Sequence, residues 1–257
     1  MTLEELEAML EKQQKQIDRI EAYQQIQNCM AGYEADHTAV TMYREPLWFA
    51  MEHEDVSMEV SDWGVWKGPE AVNYLFGTVM KEKTIGTMFL HPIATPYIEV
   101  AADGETARGT WVSVGEETQV DADLVPHGFW SFGHYSGDFI KENGVWKIWH
   151  LKWWRLARTE AGVDWTKTWQ DVMTGPPKVN PYKSDPITFF HPYDTVTEQE
   201  PFPYVPMPYE TWDDNKDWVF GPWKDEYFAE NTPVSQFEKA HPGRTAGKIE
   251  NNPSAFL

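Results

Sequence analysis

The dipeptide Asn143-Gly144 constrains this chain more than any other pair of residues. It sits between two runs rich in aromatic and branched side chains, Phe129 to Lys141 and Val145 to Trp154. Asn-Gly readily adopts the two positive-φ conformations of a tight hairpin turn, so the two runs are expected to pair antiparallel across it. Counting outward, Glu142 faces Val145, Lys141 pairs with Trp146, Phe139 with Ile148, Gly137 with His150 and Tyr135 with Lys152. Phe139, Trp146 and Ile148 then share one face, which is read as the core or pocket side. The same alternation puts Tyr135 and His150 on that face and His134 on the other. A bulge would reverse the distal half, because one extra residue inverts a period of two.

The elements around this hairpin set the fold class. Leu3, Leu6, Leu10, Ile17 and Ile20 recur at helical spacings, and Tyr23, Ile26, Met30 and Tyr33 continue the stripe after a one-residue shift. The first 40 residues therefore read as helix, its stripe packing on the sheet or pairing with another subunit. A second helix is expected over Tyr43 to Met51, and a third from Gly68-Pro69-Glu70 to about Lys83, with Pro in its first turn. Strands follow over 88 to 101 and Thr106 to Val114, joined at Asp103-Gly104. Helices followed by antiparallel strands indicate an α+β domain with three N-terminal helices on one face of a curved antiparallel sheet. No alternating strand–helix pattern and no glycine-rich phosphate loop is present, which argues against the mononucleotide-binding folds.

Proline divides the chain. Thirteen of the 18 prolines follow residue 165, and runs such as Pro201-Phe202-Pro203-Tyr204-Val205-Pro206 suit neither helix nor sheet. That region also carries Phe189, Phe190, Tyr193, Trp212, Trp218, Phe220, Trp223 and Tyr227, which are costly to leave in water. We expect residues 1–165 to form the domain and 166–257 an extended Pro/aromatic-rich C-terminal arm on its own or a neighbouring subunit. The net charge of −20 disfavours nucleic acid and anionic membranes as partners. One cysteine, Cys29, leaves no disulfide framework, and it is expected to be packed within the first helix. With no long apolar run and no signal-like leader in the sequence, a cytoplasmic protein is expected.

Three segments carry a family resemblance: Tyr33-Glu34-Ala35-Asp36; His91-Pro92-Ile93-Ala94-Thr95-Pro96-Tyr97-Ile98-Glu99-Val100; and Gly137-Asp138-Phe139-Ile140-Lys141-Glu142-Asn143-Gly144-Val145-Trp146-Lys147-Ile148. Over roughly residues 20 to 158 the chain resembles the SnoaL-like branch of the nuclear transport factor 2 superfamily. The resemblance implies a cone-shaped α+β domain of the kind found in scytalone dehydratase, bile-acid dehydratases and ketosteroid isomerase. The dehydratases of that group pair a Tyr and an Asp near the end of the first helix with a His on the first long strand; Tyr33, Asp36 and His91 match those positions. Where some relatives carry a second His or an Asp on the next strand, this chain has Thr110, Trp111, Val112 and Ser113. Epoxide hydrolases of the superfamily use an Arg between carboxylates, for which Arg108 is available without a clear flanking pattern. The fold itself hosts many functions.

The residues are also read on their own chemistry. Tyr33 and Asp36 are three apart and share a helix face; a carboxylate there is either a base facing the concavity or a cap for the following turn. His91, held extended by Pro92, titrates near neutrality when solvated and is a candidate acid–base group. Asp36, His91, Tyr33, Tyr135 and His150 are the candidate catalytic residues, with His150 and Tyr135 equally readable as core polar groups. Tyr43, Trp111, Ser113 and Arg108 are the candidate substrate-binding residues. No histidine pair has metal-ligand spacing, and neither metal nor organic cofactor is expected. The expected activity is that of a cofactor-independent lyase, dehydratase or isomerase acting by acid–base chemistry on a bulky apolar or aromatic small molecule. The alternative is a non-catalytic small-molecule-binding or assembly protein. A homo-oligomer, dimer or trimer, is expected.

Overall fold

A computed structural model describes residues 1–60, 63–81, 84–168, 188, 193 and 203–221. Helix α1 spans Leu3–Asp36, starting at Thr2 with a reciprocal capping box to Glu5. A 3-10 helix follows over Met42–Trp48, and α2, Pro69–Tyr74, runs into a π turn over Leu75–Val79. The strands are β1 Ser57–Val60, β2 Gly64–Lys67, β3 Met88–Leu90, β4 Ile93–Val100, β5 Thr106–Val120, β6 Pro126–Glu142 and β7 Val145–Glu160. A short α3, Trp165–Thr168, closes the domain.

The strands form one seven-stranded sheet in the order β2-β1-β7-β6-β5-β3, with β4 also paired to β5. Helices against a curved, unclosed sheet make the cone expected from sequence. The sheet is mixed, however, because β1 pairs parallel to β7. β1 and β2, invisible to the sequence reading, are four-residue strands too short to show a period. The apolar core joins Ile26, Met30 and Tyr33 of α1 to Phe49, Phe76, Trp111, Phe139 and Ile148. Cys29 is buried there, its thiol pushed up to about 12 by burial.

The β6–β7 hairpin begins in the expected register, Glu142 with Val145, Lys141 with Trp146 and Phe139 with Ile148. Then Trp149 is bulged out, so Asp138, not Gly137, faces His150, and Tyr135 faces Trp153 rather than Lys152. Tyr135 stays on the inner face with Phe139, whereas His150 is turned to the outer face. A second irregularity, at Phe132/Gly133, inverts the alternation of β7 again.

The outer face is polar and covered. Residues 203–221, the described part of the arm, bury Tyr209, Trp218 and Val219 over it. The Arg108 side chain donates to the carbonyls of Trp212 and Asp214, and the Ser136 hydroxyl to that of Val219. Lys152 donates to the Phe220 carbonyl and pairs with Glu59. The remainder of 166–257, apart from residues 166–168, 188 and 193, lies outside the described residues. Among the described residues no helix is long and apolar enough to cross a membrane.

Candidate active site

Between α1, the short strands β1 and β3, and the inner face of β5–β7 lies a cavity of about 110 Å³ that opens to solvent on one side. Tyr33, His37, His91, Glu117, Gln119, Tyr135, Arg155 and Arg158 supply its polar wall. Met58, Val60, Trp63, Met80, Phe89 and Trp153 supply most of the apolar one.

His91 occupies the break between β3 and β4. Its backbone N–H donates to Glu34 Oε1 at 2.9 Å, and its Nε2 lies 3.1 Å from Glu117 Oε1. The ring stacks on Trp153 at 6.0 Å and 16°, while the ring of His37 lies 4.8 Å away on centroids. Room for the imidazole comes from Gly115, where a Cβ would stand 2.2 Å from His91 Cδ2. Glu117 also accepts from Arg158 Nε at 2.7 Å. The carboxylate therefore fixes the imidazole from one side and is itself fixed by a guanidinium.

Burial penalises the charge on Glu117, yet the His91 hydrogen bond and the fields of Arg158 and Arg155 outweigh it and hold the carboxyl well below its usual range. His91 is lowered: burial, the largest cause, prevails over the hydrogen bond to Glu117, and the charges of His37 and Arg155 add to it. With Nε2 donating to an ionised Glu117, Nδ1 carries the lone pair. His37, the first residue after α1, differs. Burial alone would lower it, but Glu45, with Oε1 2.8 Å from Nδ1, prevails and raises it. Glu34, one turn before, is pushed up to about 7, mainly by burial. The hydroxyls of Tyr33 and Tyr135 are raised well above 10 by burial and stay protonated.

Of the candidate residues, Tyr33, His91 and Tyr135 meet in the cavity. Asp36 does not line it: its carboxylate accepts from Trp48 Nε1 at 2.9 Å and faces Arg44 Nε at 3.5 Å. The expected Asp36/His91 pair is replaced by Glu117/His91, because the end of α1 directs the next residue, His37, towards the rings. His150 is on the outer face against Asp138, 3.0 Å from its Nδ1, with Trp212 and Phe220 beside it. Arg108 is there too, 3.6 Å from Asp138 and under Tyr209, so neither residue reaches the cavity. Tyr43 projects to solvent from the 3-10 helix. Trp111 and Ser113 face inward but stop short of the cavity; Trp111 donates to Gln27 Oε1 and packs on Phe139.

Glu117, Arg155, Arg158, His37 and Glu45 escaped the sequence reading. Strand alternation from Trp111 and Ser113, carried two residues at a time along β5, reaches Glu117, since β5 runs on to Val120. Arg155 points inward because of the first bulge in β7, whereas for Arg158 the two bulges cancel and restore the alternation that starts at Trp146 and Ile148.

The family model of the SnoaL-like domain matches residues 18–152. The chain belongs to the SnoaL-like family. Among solved structures it is similar to a type 2 hexachlorocyclohexane dehydrochlorinase, with 17% identity, 58% of this chain and 95% of that chain covered, and a TM-score of 0.48. It is also similar to a putative scytalone dehydratase from Novosphingobium aromaticivorans, with 14% identity, 58% and 93% covered, and a TM-score of 0.45. An NTF2-like protein with a cystatin-like fold from the same organism matches at 16% identity, 66% and 97% covered, and a TM-score of 0.40. No curated protein matches the sequence.

Proposed function

We propose that the cavity performs acid–base catalysis of the lyase or isomerase type, with His91 as the base and His37 as the acid. The observation that carries this reading is the pair of imidazoles 4.8 Å apart whose carboxylate partners and burial push their protonation in opposite directions. One histidine is biased towards its neutral form and the other towards its charged form, which divides the two roles of a proton-transfer reaction. His91 would take a proton from a carbon of the substrate through Nδ1, while Glu117 stabilises the imidazolium that forms. His37 would return a proton to a leaving hydroxyl or to the adjacent carbon, giving elimination or isomerisation respectively. The hydroxyls of Tyr33 and Tyr135 and the guanidinium of Arg158, which line the cavity, would stabilise developing negative charge on oxygen.

The cavity sets the scale of the reacting portion. At about 110 Å³ it approaches the engineered cavity of about 150 Å³ that houses benzene. The reacting part is therefore about one ring in size, and any bulkier part of the substrate extends through the open side.

The test uses 5-nitrobenzisoxazole, an aromatic whose C–H deprotonation breaks its N–O bond and releases a coloured phenolate. The protein should accelerate this opening above buffer, with an acid limb below the ordinary histidine range. His91→Gln should lose about 10²-fold or more of that acceleration. His37→Gln should move the acid limb to higher pH, because a neighbouring positive charge no longer depresses His91. Unchanged acceleration in a folded His91→Gln variant would end this assignment. Tight binding of the probe without turnover would favour the binding-protein reading.

A further inference from the structure

The first five turns of α1 leave their apolar stripe uncovered. Leu3, Leu10, Ile17 and Ile20 are all exposed, and the first buried residue of the helix is Ala22. Residues 3 to 21 therefore form a helical segment about 28 Å long at 1.5 Å per residue, tied to the domain near its end by the Arg19–Glu99 ion pair, with the polar side of residues 8–19 turned towards the β4–β5 turn. An arm of that length is marginal in isolation. Here the packed half, Ala22 to Asp36, supplies the nucleus, and Thr2 with Glu5 closes the free end.

The stripe has a coiled-coil period. Leu3, Leu10 and Ile17 fall seven apart, and so do Leu6, Gln13 and Ile20, three residues further on. These are the a and d positions of three consecutive heptads. Most of the charge lies on the opposite side. Glu4, Glu5, Glu11, Lys12, Lys15, Asp18 and Arg19 lie away from the seam, whereas the flanking positions hold Glu7, Met9, Gln14, Gln16, Glu21 and Tyr23. Parallel pairing sets Met9 beside Gln14 and Gln16 beside Glu21, so no like charges meet in a chain of net charge −20.

Gln13 selects the partner. In a parallel, in-register pair of identical helices it faces itself, and each amide both donates to and accepts from its mate. Against an antiparallel copy, or an unrelated apolar helix, it would face a residue such as Leu10 and bury an unpaired amide. We infer that residues 3–20 form a parallel two-stranded coiled coil with a second copy of this chain, in register at Gln13.

The full chain should sediment at twice its monomer mass at tens of micromolar. Leu3→Cys should form a disulfide-linked dimer under mild oxidation, since the a positions of a parallel pair lie side by side and Cys29 is buried. Leu10→Asp combined with Ile17→Asp should sediment as a monomer with unchanged near-ultraviolet dichroism, both residues being exposed. Gln13→Leu should tighten association at least tenfold while relaxing the register. A wild-type monomer, a dimer that survives the double Asp substitution, or failure of Leu3→Cys to cross-link would each overturn the inference. Survival would place the contact elsewhere, and failed cross-linking would exclude the parallel register.

Discussion

Glu34→Gln separates the energetics of the cavity from its chemistry. Glu34 sits on the last turn of α1, accepting the His91 N–H with Oε1 while Oε2 is buried without a partner. Burial raises its pKa from the ordinary glutamate value of 4.5 to about 7, against smaller opposing contributions from His37 and the His91 N–H. Between those two values the folded protein holds a proton that the unfolded chain has already released. Stability must therefore fall as pH rises through this window and level off above it. At about 1.4 kcal/mol per pH unit, the rise corresponds to about 3 kcal/mol lost between pH 4.5 and 7. Glutamine keeps the acceptor for His91 and cannot ionise. Urea unfolding followed by tryptophan fluorescence at pH 5, 6, 7 and 8 measures the difference. The variant should gain on the wild type by most of that amount between pH 5 and 8, whatever constant offset the substituted amide introduces. Parallel pH profiles for the two proteins would refute the reasoning, because they would mean that Glu34 ionises alike in both states.

Two further substitutions test the architecture. Gly115→Ala should push His91 aside, since the added carbon meets a ring already confined by His37 and Trp153; turnover of 5-nitrobenzisoxazole should fall 10- to 100-fold, with about 1–3 kcal/mol lost in urea unfolding. On the outer face, Lys152→Met leaves the fully buried Glu59 without its cation at 3.2 Å and should cost about 3–5 kcal/mol, most of which the double substitution Lys152→Met/Glu59→Leu should restore in the same unfolding measurement.

Local chemistry sufficed for part of this protein. The 3.6-residue period of α1, the Pro69 start of α2 and the Asn143-Gly144 turn are properties of neighbouring residues, so they were legible in sequence, as was the pairing of the first residues beyond the turn. Tyr33 ends the helical stripe and was legible as an inward-facing residue, whereas His91 was singled out by the family resemblance. Tertiary structure decided the rest. Each irregularity in β7 adds one residue to a period of two: the first sent His150 outward to Asp138, and the second turned Arg158 inward to Glu117. Which carboxylate meets His91 depends on how α1 crosses the sheet, and a change of one residue at its end exchanges Asp36 for His37. Helical periodicity likewise marked the stripe from Leu3 to Ile20 as apolar. Only the fold showed that Leu3, Leu10, Ile17 and Ile20 stay exposed, because the length of a helix is set by its own residues whereas its burial is set by what lies beside it.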